Sequence, residues 1–324
     1  MPRESSEVVV VGSFNVDHVW RCEALPAPGA TLAGEYASGP GGKGFNQAIA
    51  SARAGARTAF VCALGDDAGG QLARALADAD GLELRALASD APTGTAGIYV
   101  DAAGRNSIVI GAGANAGLSP AHVAAQGDAF RAARVVLAQL ESPVETIAAA
   151  LAEGRERGAT TMLNPAPANA ATTLALLALA DVLTPNETEF SALVARHVGA
   201  RIDPADIAEL DQARLHALCR ELAPAASVVV TLGAIGCFVS HPEGATRGDT
   251  SPCYRIGAES VRATDTTGAG DAFNGALAAS LAIDAGLAFA DHVAFASRYA
   301  ALSTERAGAA AAMPLRADVL ARFG

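Results

Sequence analysis

Short apolar runs rich in β-branched residues recur along this chain at 8–11, 58–64, 135–140, 160–163, 182–184 and 228–232, each closing on or near Gly, Asn or Pro. Runs this short and this apolar read as strands buried on both faces. Ala- and Leu-rich segments at helical spacing lie between them, among them 45–54, 69–79 and 144–157. Strand then helix, repeated, leaves few folds open, and the expectation is a three-layer α/β/α domain around a doubly wound, parallel sheet. Right-handed crossovers then set the carboxyl ends of all the strands on one edge, where ligands bind in such sheets. The unusual residues fall there: Asn15 and Asp17, Glu141, Asn164, Asn186 and Glu189, and Gly233.

Two segments break the alternation. Residues 16–39 are rich in Pro and Gly, and 93–110 read as two strands about a turn at 101–105. Neither has a crossover helix, so together they predict a small β-sheet projecting as a lid over the ligand edge. The expected division is a core of 1–12, 45–92 and 111–324 and a lid of 13–44 and 93–110. After Gly270 the chain reads as almost wholly helical, through 287–303 and a last helix from Pro314.

With 51% hydrophobic residues in 324, the chain can bury a sizeable core. Its 23 Lys and Arg against 34 Asp and Glu give a formal charge of -11, a field that repels nucleic acid and anionic membranes. The same field repels ATP, so a nucleotide site here must rest on local backbone N–H groups and helix dipoles. The five cysteines, Cys22, Cys62, Cys219, Cys237 and Cys253, are odd in number and form no C-x-x-C pair, which argues against a disulfide framework or a zinc knuckle. The polar start MPRESSE lacks the pattern of a signal peptide, and Asp181 interrupts the most apolar stretch short of the ~18 residues of a membrane span. A cytoplasmic location is expected.

Glycine-rich turns are therefore the places to look. In GPGGKGFNQA at 39–48, a glycine turn opens a helix and can present N–H groups, Lys43 and Asn46 to a hydroxylated ligand; it is not a Walker A loop, because no Gly-Lys-Ser/Thr follows at the required spacing. In TDTTGAGDAFNG at 264–275, small residues run into a long helix, so that the N–H groups of Gly268, Ala269 and Gly270 can converge on one anion at the positive end of the dipole. Asp271 then stands in the first turn, beside the place of a phosphate. Taken alone, Asp271 is equally a helix-start carboxylate, Asp17 a turn cap, Glu141 a partner for a surface Lys, and Asn186 with Glu189 a loop cap. A dinucleotide fingerprint lacks its third glycine.

These blocks occur together with GSFNVD at 12–17, GDD at 65–67, AGAN at 112–115, QLESP at 139–143, LNPAP at 163–167, TPNETE at 184–189 and TLG at 231–233 with Gly236. In that order, over nearly the whole chain, they resemble the PfkB family of carbohydrate kinases, and within it the ribose-phosphorylating branch. The resemblance implies ATP-dependent phosphorylation of D-ribose at O5, with Asp271 as base and the amides of Gly268, Ala269 and Gly270 as anion hole. It implies sugar contacts from Asn15, Asp17, Gly41, Gly42, Lys43, Asn46 and Glu141. Asn186 and Glu189 match the Asn-x-x-Glu motif that orders Mg²⁺ and phosphate, and Thr231, Gly233 and Gly236 match the strand-turn along the nucleotide. Ser297 stands where a His lies near the adenine, and Gly111 where a lid position carries His. Asp265, Thr267, Ser303, Arg306, Gly308 and Ala312 match a K⁺ site, with Ala312 in place of Ser. A homodimer joined through its lids is implied as well. The alternatives are a kinase for another sugar or a nucleoside and, from another class, a non-catalytic sugar-binding regulator.

Overall fold

The computed structural model describes residues 6–324, so most of the polar start, and the first residues of the expected core segment, lie outside the described residues. Strand β1 (Val8–Val11) shows why the apolar runs need two helical layers. Its four valines are fully buried; Val8 and Val10 join one hydrophobic cluster and Val9 and Val11 the other, as the two-residue period of a strand requires.

The remaining strands follow in chain order. They are β2 (Asn15–Arg21), β3 (Glu35–Gly41), β4 (Thr58–Gly65), β5 (Glu83–Ser89), β6 (Gly94–Val100), β7 (Asn106–Gly111) and β8 (Val135–Ala138). Then come β9 (Thr160–Leu163), β10 (Val182–Leu183), β11 (Ser227–Thr231), β12 (Cys237–Ser240) and β13 (Cys253–Ile256). The α-helices are α1 (Lys43–Arg53), α2 (Ala68–Ala79), α3 (Pro120–Ala125), α4 (Gly127–Ala132), α5 (Val144–Glu156) and α6 (Leu174–Leu177). They continue with α7 (Glu187–His197), α8 (Gln212–Leu222), α9 (Ala269–Ile283), α10 (Phe289–Ser303) and α11 (Arg316–Phe323). Among the described residues no helix is long and apolar enough to cross a membrane.

The large sheet has nine strands in the order β13-β12-β11-β10-β9-β8-β1-β4-β5. It is parallel from β10 and β11 through to β5, as the strand-helix alternation predicts. The chain leaves β1 towards β4 and β5 and later returns to its other side with β8, so a topological switch point opens between β1 and β8. The expectation that every strand ends on one edge is corrected at β12, which runs antiparallel to both β11 and β13. Three strands are absent from the sequence reading. Edge strand β5 carries Glu83 and Arg85 and has no continuous apolar run, while β12 and β13 are only four residues each. No crossover helix separates β11 from β12 either. Gly236 makes that tight return: its φ is 109°, and a Cβ there would run into the Ile256 carbonyl oxygen and, at 2.7 Å, the Ala258 nitrogen.

The small sheet is β3-β2-β6-β7, two strands from each of the segments that lack a crossover helix. Trp20 stands opposite Tyr36 on one side and Tyr99 on the other, with ring centroids 5.3 Å from both, and these aromatics form a ladder on one face. Asp17, Ala96 and Ile110 share the other face. On the edge strand β7, Ile108, Val109 and Ile110 are 50%, 68% and 50% exposed.

Candidate active site

The switch point is closed at its mouth by hydrogen bonds between the segments that follow β1 and β8. Glu141 Oε2 accepts from Ser13 Oγ at 2.6 Å and from the Lys43 backbone N–H at 2.9 Å. Glu141 therefore bridges these segments and is not the partner of a surface Lys. Asn15, the first residue of β2, is tied in as well, its Oδ1 accepting from Asn115 Nδ2 at 2.9 Å. Gly42 turns the chain from β3 into α1 at φ 88°, where a Cβ would lie 2.8–2.9 Å from backbone atoms of Ser13, Phe14 and Asn15. A Cβ on neighbouring Gly41 would strike the Asp17 carboxylate. Small residues here let these polar groups crowd together.

Facing them is the amino end of α9. Gly268 caps it in the left-handed conformation at φ 76°, and Asp271 sits in the first turn, buried. Asn46 Nδ2 donates to Asp271 Oδ2 and Gln47 Nε2 to Asp271 Oδ1, each at 2.9 Å. A cavity of about 170 Å³ opens beside this carboxylate. It is lined by Lys43, Asn186, Glu189 and Thr231 together with Thr266, Gly268, Ala269 and Gly270. The structure thus gathers the expected base, the glycine turn, Lys43 and the Asn-x-x-Glu pair around one space. Asn46, which holds Asp271 from behind, keeps its own Oδ1 buried without a partner.

Some expected residues stand differently. The Ala269 N–H donates to the Thr266 carbonyl at 3.2 Å, so this amide of the expected anion hole is already engaged in a turn. Gly233, Gly236 and Ser297 do not line the cavity. The conformation of Gly236 is set by the backbone at and just beyond the end of β13. Asn186 and Glu189 do form a helix cap, a full capping box in which each side chain accepts the other's backbone N–H, and both also line the cavity. Asp265 joins two of the segments expected at the K⁺ site, its carboxylate accepting from the N–H groups of Thr267 and Gly308 at 2.9 Å each. Ser303 and Arg306 are neighbours across a turn, and the Ala312 N–H donates to Ala309 O.

Burial and neighbouring charge act against each other in this site. The dipole of α9 alone would hold Asp271 in its ionised form, but burial pushes its carboxyl above the usual carboxylate range. Lys43, Asn46 and Gln47 oppose that rise, and Glu141 adds to it. Asp17 is pushed up to about 6, chiefly by burial and then by Glu141 and Asp271. Burial likewise raises Glu189. Burial alone would lower Lys43, yet Asp271, Glu141 and Glu189 around it more than offset this and strengthen its hold on its proton.

Known proteins match this chain along nearly its whole length. The family profile described as pfkB family carbohydrate kinase matches residues 5–316. The chain belongs to the PfkB family of carbohydrate kinases. This carbohydrate kinase is 34% identical over 316 residues to the ribokinase of Haemophilus influenzae, covering 97% of each chain. It is 35% identical to the ribokinase of Mus musculus, covering 98% of this chain and 94% of the relative. It spans 55% of the length of another relative, the bifunctional ribokinase/ribose-5-phosphate isomerase A of Fructilactobacillus sanfranciscensis, with 36% identity over 318 residues. Among solved structures, the ribokinase of Giardia lamblia superposes with a TM-score of 0.85 at 30% identity, covering 99% of this chain and 100% of that one. The ribokinase of Arabidopsis thaliana complexed with ribose and ATP superposes with 0.82 at 29% identity, covering 98% of both.

Proposed function

We propose that this carbohydrate kinase transfers the γ-phosphoryl group of ATP to O5 of D-ribose, giving D-ribose 5-phosphate and ADP. The observation that carries this reading is the position of Asp271. It is a buried carboxylate held from one side by Asn46 and Gln47 and bounded on the other by the glycine start of α9. Asn15, Asp17, Gly41, Gly42, Lys43, Asn46 and Glu141 bind the sugar, since carboxylates and amides together satisfy hydroxyls that both donate and accept. As O5 attacks, its proton passes to the Asp271 carboxylate, the O5–phosphorus bond forms, and the bond to the bridging oxygen breaks with its electrons leaving on ADP. Lys43 and the amides at Gly268 and Gly270 stabilise the charge of the moving group, while Thr231, Gly233, Gly236 and Ser297 lie along the nucleotide.

Oxygen donors fit Mg²⁺, and Asn186 and Glu189 would supply them at the cavity, largely through water. Mg²⁺ keeps several waters and is carried largely by substrate phosphates. When bound it neutralises phosphate charge. The segments of Asp265, Thr267, Ser303, Arg306, Gly308 and Ala312 would hold K⁺ mainly through backbone oxygens. The small sheet, residues 13–44 and 93–110, acts as the lid of a core made of 1–12, 45–92 and 111–324, and the exposed apolar residues of β7 support a homodimer joined through it. Five free cysteines fit a cytoplasmic setting.

The test is ADP release with D-ribose, D-fructose and adenosine, run in K⁺ and in Na⁺ buffer. D-ribose should give the highest kcat/KM, and K⁺ should raise the rate. A preference for fructose or adenosine removes ribose and leaves the kinase. Equal rates in Na⁺ remove the cation site, and no ADP release with any acceptor would favour a silent sugar-binding protein.

A further inference from the structure

The Asp271 carboxylate is clasped by two consecutive side chains of α1, and only one of them has a place among the sugar contacts. Gln47 is fully buried. One N–H of its Nε2 goes to Asp271 Oδ1 at 2.9 Å and the other to Asn164 Oδ1 at 3.1 Å, while its Oε1 accepts from Gln139 Nε2 at 2.5 Å. Asn164 is itself oriented by donating Nδ2 to the Thr184 carbonyl at 2.9 Å. Turned over, the Gln47 amide would present its oxygen to two acceptors, so the network admits one orientation. Gln139 keeps its own Oε1 buried with no partner. A buried acceptor left open costs stability, so this amide is held in place for its donor.

We propose that Gln47 is a positioning residue for phosphoryl transfer, fixing the Asp271 carboxylate in one orientation and holding it in the ionised form. The inference rests on the reading of Asp271 as the base. The groups around that carboxylate are mostly hostile to its charge: Asp17 from β2, Glu141 beyond β8 and Glu189 from α7 are acidic, and Lys43 from α1 is the cation among them. Burial acts in the same sense as the acids. A donor fixed on Oδ1 favours the charged form and restricts rotation about the carboxylate, and neither effect requires Gln47 to touch substrate. Gln139, at the end of β8, backs Gln47 as Gln47 backs Asp271.

The experiment compares the pH profiles of kcat at saturating sugar and ATP for the parent enzyme, Gln47→Met and Gln139→Met, with Asp271→Asn in parallel. Loss of one hydrogen bond to the ionised carboxylate should move the acid limb of Gln47→Met upward by about one pH unit. Its plateau should fall by roughly tenfold through lost orientation, with KM for ATP little changed. Gln139→Met keeps the amide on Asp271 but frees its far end, so it should show a smaller shift of the same sign, and it provides the reading should Gln47→Met not fold. If both variants lower Tm and leave the acid limb at its parental position, Gln47 is a packing residue and the proposal is overturned. If Asp271→Asn retains turnover within about threefold, the base reading falls and takes the proposal with it. A ~10²- to 10⁴-fold loss in Asp271→Asn beside unmoved limbs in the glutamine variants removes the positioning role alone.

Discussion

At the scale of single residues, the site is a set of carboxylates crowded around one lysine, and Asp17 shows what that costs. Its pKa of about 6 lies above the ordinary 3.8, so the folded chain binds this proton more tightly than the unfolded chain does. The stability contribution of that proton is present in acid, declines as pH rises between these two values, and is gone above about 6. Asp17→Asn should therefore raise Tm at pH 8 relative to the parent, with the gain shrinking towards pH 4, while kcat/KM for the sugar drops. In the parent, kcat/KM should fall as pH drops through about 6, because a protonated Asp17 loses an acceptor for a hydroxyl. A thermal-shift series and initial rates over the same buffers check both; a Tm gap that does not vary with pH would refute the buried-charge account. Much of this cluster was legible in the sequence, because Lys43, Asn46 and Asp271 stand near the starts of helices opened by glycine turns and Asp17 follows soon after the first apolar run. Gln47 and Gln139 were not. A glutamine inside a helix or at a strand end reads the same whether it faces solvent or a buried base, and only partners far along the chain distinguish the two.

At the scale of elements, the decisive contact is between α1 and α9. Gly275 lets the helices meet: a Cβ there would strike the Gln47 carbonyl oxygen and would lie 2.5 Å from Ala50 Cβ and 2.8 Å from Ser51 N. These are rigid neighbours, two of them backbone, so Gly275→Ala should push the helices apart at about 1–3 kcal/mol and lower Tm. Because Asn46 and Gln47 ride on one helix and Asp271 on the other, kcat should fall as well, although residue 275 touches no substrate. Thermal unfolding and turnover of this one variant test it, and normal turnover with a lowered Tm would show that the helices can separate without disturbing the clasp. The helices themselves were readable from Ala and Leu spacing, and α1, α2 and α5 begin and end within two residues of the expected bounds. Their closeness was not, because a glycine in a small-residue helix marks tight packing only once the facing helix is known. The same limit hid β12 and β13, which gain their identity from pairing with β11 and with each other.

For the whole molecule, the small sheet leaves an edge at β7 that a single chain does not cover. Ile108 and Val109 point to opposite faces of β7 and both are exposed, so the double variant Ile108→Asp and Val109→Asp should turn a dimer into a monomer whichever face is buried. Light scattering after size exclusion measures this, and a parent that elutes as a monomer at micromolar concentration sinks the dimer. The two sheets were legible from where crossover helices are present and absent, but nothing in the sequence shows how tightly they are joined. Three residues connect β1 to β2, and Gly42 alone connects β3 to α1. The segment 22–34 at the far end of β2 and β3 is, by contrast, long and largely exposed. Anyone wishing to graft a reporter, lengthen the lid or recombine it with another kinase's has a tolerant insertion point at that distal loop. The junctions are a different matter, because Ser13 and the backbone of Lys43 both donate to Glu141 there: a crossover at either would cut the small sheet from the segment that follows β8, so the two are exchanged together and not as separable modules.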